Sequence, residues 1–201
     1  MRVIYILFAL LLCFTLILSS FELTLSLFHS PFNSMITEPK AHSLTWIYLL
    51  EQKYITFIDL DIFTIHEKRH LLDVKRLFDK IYSLWAITSI STITILIGLY
   101  LKDKKRFFIV LRYNFFLGVA VTLLSIFIAT NFLDSFKLLH ELIFSQYSWV
   151  FPNDSILIEW FPLVYFQEFA VIMGSIYLTS FLICTPKTSE PYSKSSLLPA
   201  G

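Results

Sequence analysis

Four long apolar stretches dominate the chain, separated by segments in which charged and apolar residues recur at helical spacing. A helix needs about 20 apolar residues to cross the hydrocarbon core of a bilayer. The stretches at about 3–27, 82–101, 107–132 and 160–184 meet that length and predict transmembrane helices. The first follows Arg2, as a signal peptide would follow its basic start. Its apolar run is about twice an ordinary signal core and shows no small-x-small cleavage site. Cys13 follows Leu10-Leu11-Leu12 rather than the small residue that precedes a lipidated cysteine, so the stretch is expected to be an uncleaved anchor.

Between the spans, the pattern predicts structure rather than loose linkers. Phe63 to Ile81 reads as a helix running into the second span, with Leu71, Val74, Phe78 and Ile81 on one stripe and Glu67, Arg69, Arg76 and Lys80 on the wet side. Phe136, Leu139, Ile143 and Phe144 make a second interfacial stripe. The runs Trp46-Ile-Tyr-Leu-Leu50 and Phe57-Ile58 need burial. The predicted fold is an all-α membrane protein: four transmembrane helices, with a small extracytoplasmic cap built from 28–81 and 133–159. Residues 1–184 form a single integral membrane domain. Pro152 and Pro162 break the helices around the second loop, and 185–201, rich in Ser, Pro and Lys, is expected to be a disordered cytoplasmic tail.

Composition agrees with a membrane protein: 56% hydrophobic, 15% charged, mean hydropathy +0.69. A soluble domain averages about 25% charged residues. The net charge of +1 gives no basis for nucleic-acid binding. Both cysteines, Cys13 and Cys184, fall in apolar helices, which speaks against a disulfide framework or a cysteine metal site. The aromatics Trp85, Trp149 and Trp160 are expected in the interface belt. With the termini inside, Arg2, Lys102, Lys104, Lys105, Arg106, Arg112, Lys187 and Lys194 are cytoplasmic. Lys40, Lys53, Lys68, Arg69, Lys75, Arg76, Lys80 and Lys137 are then outside, an equal number. The positive-inside rule weights short loops, and Lys102-Asp-Lys-Lys-Arg106 is the shortest, so both termini are expected in the cytoplasm.

That topology brings two histidines to one mouth. His70 precedes the second span and His140 follows the third, and these spans form an antiparallel hairpin. Asp73, three residues beyond His70, is spaced to accept a ring N–H and fix the tautomer, or else to pair with Arg69, Lys75 or Arg76. Glu141 stands beside His140. Two histidines at one lipid–water boundary suit proton transfer on a bound group, one taking a proton while the other stabilises charge. Each alone also reads as an ordinary interfacial histidine. Glu168 sits several residues inside the fourth span, where an ionisable group faces a partner, a cavity or the interface. His66-Glu67-Lys68-Arg69-His70 is a literal HExxH, the zinc-protease pattern. Its Lys-Arg pair puts two cations beside a dication site, and no obvious third ligand follows. His29, His42 and His140 are the remaining partners for such a site. The alternatives to a lipid-directed enzyme are thus a membrane zinc metalloprotease and a non-enzymatic membrane module.

The ordered set Glu67-x-x-His70-x-x-Asp73-Val74-Lys75, Phe136-x-x-x-His140-Glu-x-x-Phe144 and Trp149-x-Phe151-x-x-Asp154-x-x-Leu157-Ile158-x-x-Phe161-Pro162 resembles the lipoprotein intramolecular transacylase family. These are small bacterial four-span proteins. Ser145-Gln-Tyr-Ser148 stands where the family pattern leads one to expect a Gly- or Asn-Asp-type turn. The resemblance implies a reaction: the sn-2 acyl chain of a diacylglyceryl-cysteine lipoprotein moves to the α-amino group of that cysteine, giving a lyso-form lipoprotein. It implies His70 and His140 as catalytic; Asp73, Glu141, Trp149 and Asp154, which stand in the matching pattern, and Glu168, singled out by its depth in the fourth span, are expected to support them or bind substrate. It also implies no metal, cofactor or acyl-enzyme, lipoproteins and membrane lipids as partners, and a site at the outer leaflet of the bacterial cell membrane.

Overall fold

The computed structural model describes residues 2–32, 35–50, 61–145 and 147–185. Lys53, Phe57-Ile58, Gln146 and the expected tail from 186 onward lie outside the described residues. Among those described there is no strand. The helices are α1 (Arg2–Leu27), α2 (Pro39–Leu50), α3 (Ile65–Lys102), α4 (Lys104–Thr130), α5 (Phe132–Ile143), α6 (Ile156–Trp160) and α7 (Leu163–Ile183).

Four of these, α1, α3, α4 and α7, are long and apolar enough to cross a membrane. Side chains such as Ile87, Ile90, Leu123, Phe127 and Val171 on them are 63–68% exposed, a surface that acyl chains cover and water would not tolerate. The central helix is α1, packed against α3, α4 and α7. Small and hydroxylic residues set this packing, as expected where helices associate without a hydrophobic drive. The Thr15 and Thr92 hydroxyls share a 2.8 Å hydrogen bond, and the Trp85 indole donates to Ser19 Oγ at 3.0 Å. At Gly118 of α4, ring carbons of Phe181 stand 2.0–2.7 Å from where a Cβ would be, so that glycine permits the close approach of α7.

The span boundaries follow local chemistry. The helix expected before the second span and the span itself are one unbroken α-helix of 38 residues. At 1.5 Å per residue it is about 57 Å long, nearly twice the ~30 Å hydrocarbon core. Its charged first half, 65–81, therefore projects from the bilayer and 82–102 crosses it. The basic loop contracts to one residue, Asp103, whose carboxylate caps α4 through the Arg106 N–H and pairs with the Arg106 side chain at 2.7 Å. The fourth span begins at Leu163 rather than near 160, because Phe161-Pro162 interrupts the chain and 156–160 forms its own short helix.

The cap is α2, the projecting half of α3, α5, α6 and their connections. Its core joins Trp46, Leu49, Phe63, Leu71, Leu157 and Trp160 to the cap ends of α1 and α7. Trp160 is 1% exposed and donates its indole N–H to Thr37 Oγ1, so it is a core residue and not the belt residue its position suggested. The Trp46 indole donates to the His29 carbonyl at 2.9 Å, tying α2 to the end of α1.

Candidate active site

The site grows from the first turn of α3. Thr64 and Glu67 form a capping box: Glu67 N–H donates to Thr64 Oγ1, and Thr64 N–H donates to the Glu67 carboxylate. The other carboxylate oxygen of Glu67 accepts from Ser155 Oγ and from the Leu157 N–H, fastening α3 to the start of α6. Burial alone would raise the Glu67 pKa, yet the bonds from Ser155, Thr64 and Leu157 together hold it below the usual carboxylate value. One turn on, the His70 ring packs edge-on against Phe144 (4.8 Å between centroids) and Phe151 (5.4 Å).

Across the cavity, α5 leaves Leu138, Leu139, Leu142 and Ile143 exposed and turns Phe136 and His140 inward. The expected stripe of Phe136, Leu139, Ile143 and Phe144 is therefore divided. Leu139 and Ile143 belong to a face of an interfacial helix that meets lipid. His140 Nδ1 donates to the Phe136 carbonyl at 2.9 Å. Its ring is bracketed by Phe136 (4.0 Å), Trp149 (5.1 Å) and Phe144 (5.5 Å).

Both histidines line one cavity of about 340 Å³, with walls from α1, α2, α3, α5, α6 and α7 and the Trp149-Val-Phe151 segment. Aromatic and aliphatic side chains make up nearly all of the rest of its surface. This desolvation sets the histidine chemistry. Burial first, then repulsion from His140 and His66, pushes His70 down to about 4. Burial also lowers His140, outweighing its bond to the Phe136 carbonyl. Both rings are neutral at pH 7. In His140 the proton on Nδ1 leaves Nε2 as a free base. In His70, Nδ1 is buried without a partner. A buried unpaired N–H costs more than a buried unpaired lone pair, so the His70 proton belongs on Nε2, toward the cavity. One histidine thus presents an acceptor to the cavity and the other a donor.

The other residues singled out from the sequence divide. Trp149 forms part of the cavity wall. Asp73 stands 3.7 Å from the Arg76 guanidinium, one turn along the helix, and His70 Nδ1 has no hydrogen-bond partner, so the expected Asp73–Nδ1 bond is not made. Glu141 and Asp154 are exposed and do not line the cavity. Glu168 accepts the Phe32 N–H at 3.0 Å, so this carboxylate at the head of α7 anchors the chain leaving α1 and does not reach the histidines. Glu67, the would-be base of a zinc site, is consumed by its four donors, and His66 packs on Phe151 outside the cavity wall. Sequence reasoning overlooked the Glu67 tie although Thr64-Ile-His-Glu67 is a legible capping-box pattern. Tyr165 and Phe166 of α7 were also overlooked as cavity walls, and nothing in their spacing marked them.

The described geometry has counterparts among known proteins. The sequence profile described as lipoprotein intramolecular transacylase Lit matches residues 39–166, more than half of the chain and the part that holds both histidines. No curated protein matches by sequence. Among solved structures, the in meso structure of the membrane integral lipoprotein intramolecular transacylase Lit from Bacillus cereus aligns with a TM-score of 0.72 at 20% identity, over 92% of this chain and 94% of that one. A variant of the same protein with one histidine replaced by arginine aligns at 0.64, over 90% of this chain and 88% of that one, again at 20% identity. An alanine variant aligns at 0.65, over 90% of each chain and at 20% identity. At this identity the structural likeness shows a shared fold; the profile match carries the assignment. The chain belongs to the lipoprotein intramolecular transacylase family.

Proposed function

We propose that the protein moves the sn-2 acyl chain of a diacylglyceryl-cysteine lipoprotein to the α-amino group of that cysteine, leaving a lyso-form lipoprotein. The observation that carries this reading is that His70 and His140 line a single apolar cavity, where burial favours their neutral forms. An amine attacks an ester only when unprotonated, and a free α-amino group has a pKa of about 7.7–8.0. Desolvation that keeps both histidines neutral favours the neutral amine as well.

In the proposed step the amine nitrogen forms a bond to the ester carbonyl carbon. His140 Nε2 takes the proton that the nitrogen sheds. His70 Nε2–H donates to the carbonyl oxygen as it becomes an oxyanion. The bond from carbon to the glyceryl oxygen then breaks, and His140 returns the proton to that oxygen. The balance closes within one substrate molecule. Holding amine and ester together supplies much of the acceleration, since both groups are already attached to one cysteine. The proposed setting is the bacterial cytoplasmic membrane, with both termini inside and the cap and cavity at the outer leaflet.

Mass spectrometry of the N-terminal peptide of a co-expressed lipoprotein tests this. The expected product carries one acyl group on nitrogen and one on the glyceryl, and His140→Ala or His70→Ala abolishes it. A cysteine that keeps both ester chains and a free amine beside the wild-type protein would falsify the reading. Product that persists in both variants would remove the two histidines from the reaction.

A further inference from the structure

A second cavity, of about 670 Å³, runs between α4 and α7 below the histidine cavity, floored by Ile17 of α1. Its upper end is Phe132 and Gln167; its lower end is Val121 and Leu178. From Gln167 to Leu178 is eleven residues of helix, about 16 Å at 1.5 Å per residue. That is close to half of the ~30 Å hydrocarbon core, the depth of one leaflet. Between Gln167 at its upper end and Tyr177 near its lower end, the walls are mostly apolar. Thr122, Ser125 and Ser175 each turn their hydroxyl back to a carbonyl of their own helix, at 2.8–2.9 Å.

The two cavities share a boundary. Phe136 and Phe166 line the upper one and lie 4.9 Å apart, while their neighbours Phe132 and Gln167 line the lower. Phe132 stacks on Phe136 at 6.1 Å, and Phe136 in turn packs on His140 at 4.0 Å. An apolar track thus leads from the ring of His140 into the groove. We infer that the α4–α7 groove holds the tail of the acyl chain being transferred, while its carbonyl stands between the histidines. This rests on the proposed reaction and adds the subsite that carries the chain. During transfer the carbonyl carbon exchanges an oxygen for a nitrogen, and a tail fixed in the groove keeps that carbon in place while its partners change. The chain on the other glyceryl oxygen starts farther from His140 and remains in the bilayer.

Gly174 provides the test. It lines the groove, and a Cβ built on it meets nothing within 4 Å, so a large side chain there enters the groove without disturbing a packed neighbour. The experiment compares diacylglyceryl-cysteine lipopeptides with a constant hexadecanoyl chain at sn-1 and either butanoyl or hexadecanoyl at sn-2. Gly174→Phe is expected to slow transfer of the long chain about tenfold or more, the equivalent of losing burial of only about two methylenes. Transfer of butanoyl is expected to be unchanged, and Gly174→Leu gives the same pattern more weakly should the Phe variant fail to fold. Gly98→Phe, at another glycine with open surroundings on α3, controls for bulk within the membrane and should leave both rates as in wild type. Equal rates on both lipopeptides in folded Gly174 variants overturn the inference. So does a loss that follows sn-1 length when the lengths are exchanged. A wild-type protein inert on every lipopeptide overturns the transfer reading and the subsite with it.

Discussion

His70 and His140 face the same cavity from walls of unlike construction. The α3 wall is fastened at its first turn: Glu67 is buried, receives four hydrogen bonds and joins the helix to α6, and Leu71 beside His70 is 3% exposed. The α5 wall has no fully buried side chain, only the half-buried Phe136 and His140 among its inward residues, and lacks a side-chain cap at its start. Phe136 against Phe166 and His140 against Trp149 hold it to the rest, and its outer leucines rely on lipid. A wall held by few buried contacts opens at lower free energy than one anchored by a satisfied carboxylate. In the proposed reaction the donor then stands on the fastened wall and the base on the less buried one, the side expected to yield to a lipid-borne substrate.

The two histidines should differ most sharply when each is replaced by glutamine. A glutamine side chain still offers an N–H but takes up no proton at neutral pH. His140→Gln removes the base and is expected to lower the transfer rate by about 10²–10⁴. His70→Gln keeps a donor near the oxyanion and should lose about tenfold to a hundredfold, less than His70→Ala. Rates from lipopeptide mass spectrometry decide it. Equal losses in the two glutamine variants would reverse or erase the donor and base roles while leaving the shared cavity intact.

Removing the tie is the next largest effect. Glu67→Ala leaves the Thr64 and Leu157 N–H groups and the Ser155 hydroxyl without their acceptor, and is expected to destabilise the cap by about 3 kcal/mol. Hydrogen exchange gives the local readout. In the wild type, amides in the first turns of α3 should be better protected than those of α5, and in Glu67→Ala the difference should shrink. Protection of α3 that survives the substitution would show that its fixity comes from Leu71 and its apolar neighbours instead.

The sequence was most legible where periodicity and length act alone. Spans, cap and the meeting of His70 with His140 follow from apolar run length and helix order, because a bilayer fixes what a run of that length does. It was least legible where polar groups choose among several partners. Asp73 is spaced for His70 but pairs with Arg76, since a guanidinium one turn away competes for the same carboxylate. Glu67 stood inside an HExxH string, yet the Thr64 capping box and Ser155, far along the chain, claim it. Trp160 looked like a belt residue and is, among the described residues, the most buried large side chain in the cap. Such outcomes depend on long-range packing that periodicity does not encode.

The depressed histidine pKa values give the comparison a pH signature. A histidine left at its ordinary value would lose its basicity as pH falls through about 6.5. Both histidines lie lower, His70 at about 4, so a loss of transfer between pH 8 and 6.5 belongs to protonation of the substrate amine, and the histidines add their own loss only on further acidification. Below the folded value of the base the decline steepens toward tenfold per pH unit. Stability moves in the same direction. Between the folded values and about 6.5 the unfolded chain binds more protons than the native one, so stability falls as pH is lowered through that window. A His140 ring that titrates at its ordinary value near 6.5, followed by NMR in the protein without substrate, would place it in water rather than in a desolvated wall.

The smallest effect falls on the turn that leads from α5 to Trp149. Tyr147 has φ of 65°, the left-handed region, which costs an ordinary L-residue about 1–2 kcal/mol. Asparagine tolerates it with far less strain, and glycine without any. The family resemblance implies a Gly- or Asn-Asp-type turn before Trp149, and here Tyr147 takes the left-handed conformation without the residue type that favours it. Tyr147 is 71% exposed, so its ring contributes little packing. Tyr147→Asn should therefore stabilise the protein by about 1 kcal/mol, read as a higher thermal midpoint in detergent, with transfer changed less than about twofold. The relief acts two residues from Trp149, the side chain that brackets His140, and so tightens the weaker wall alone. A higher midpoint accompanied by slower transfer would show that looseness on the α5 side serves the reaction; an unchanged midpoint would mean the strain at Tyr147 is offset by contacts of its ring.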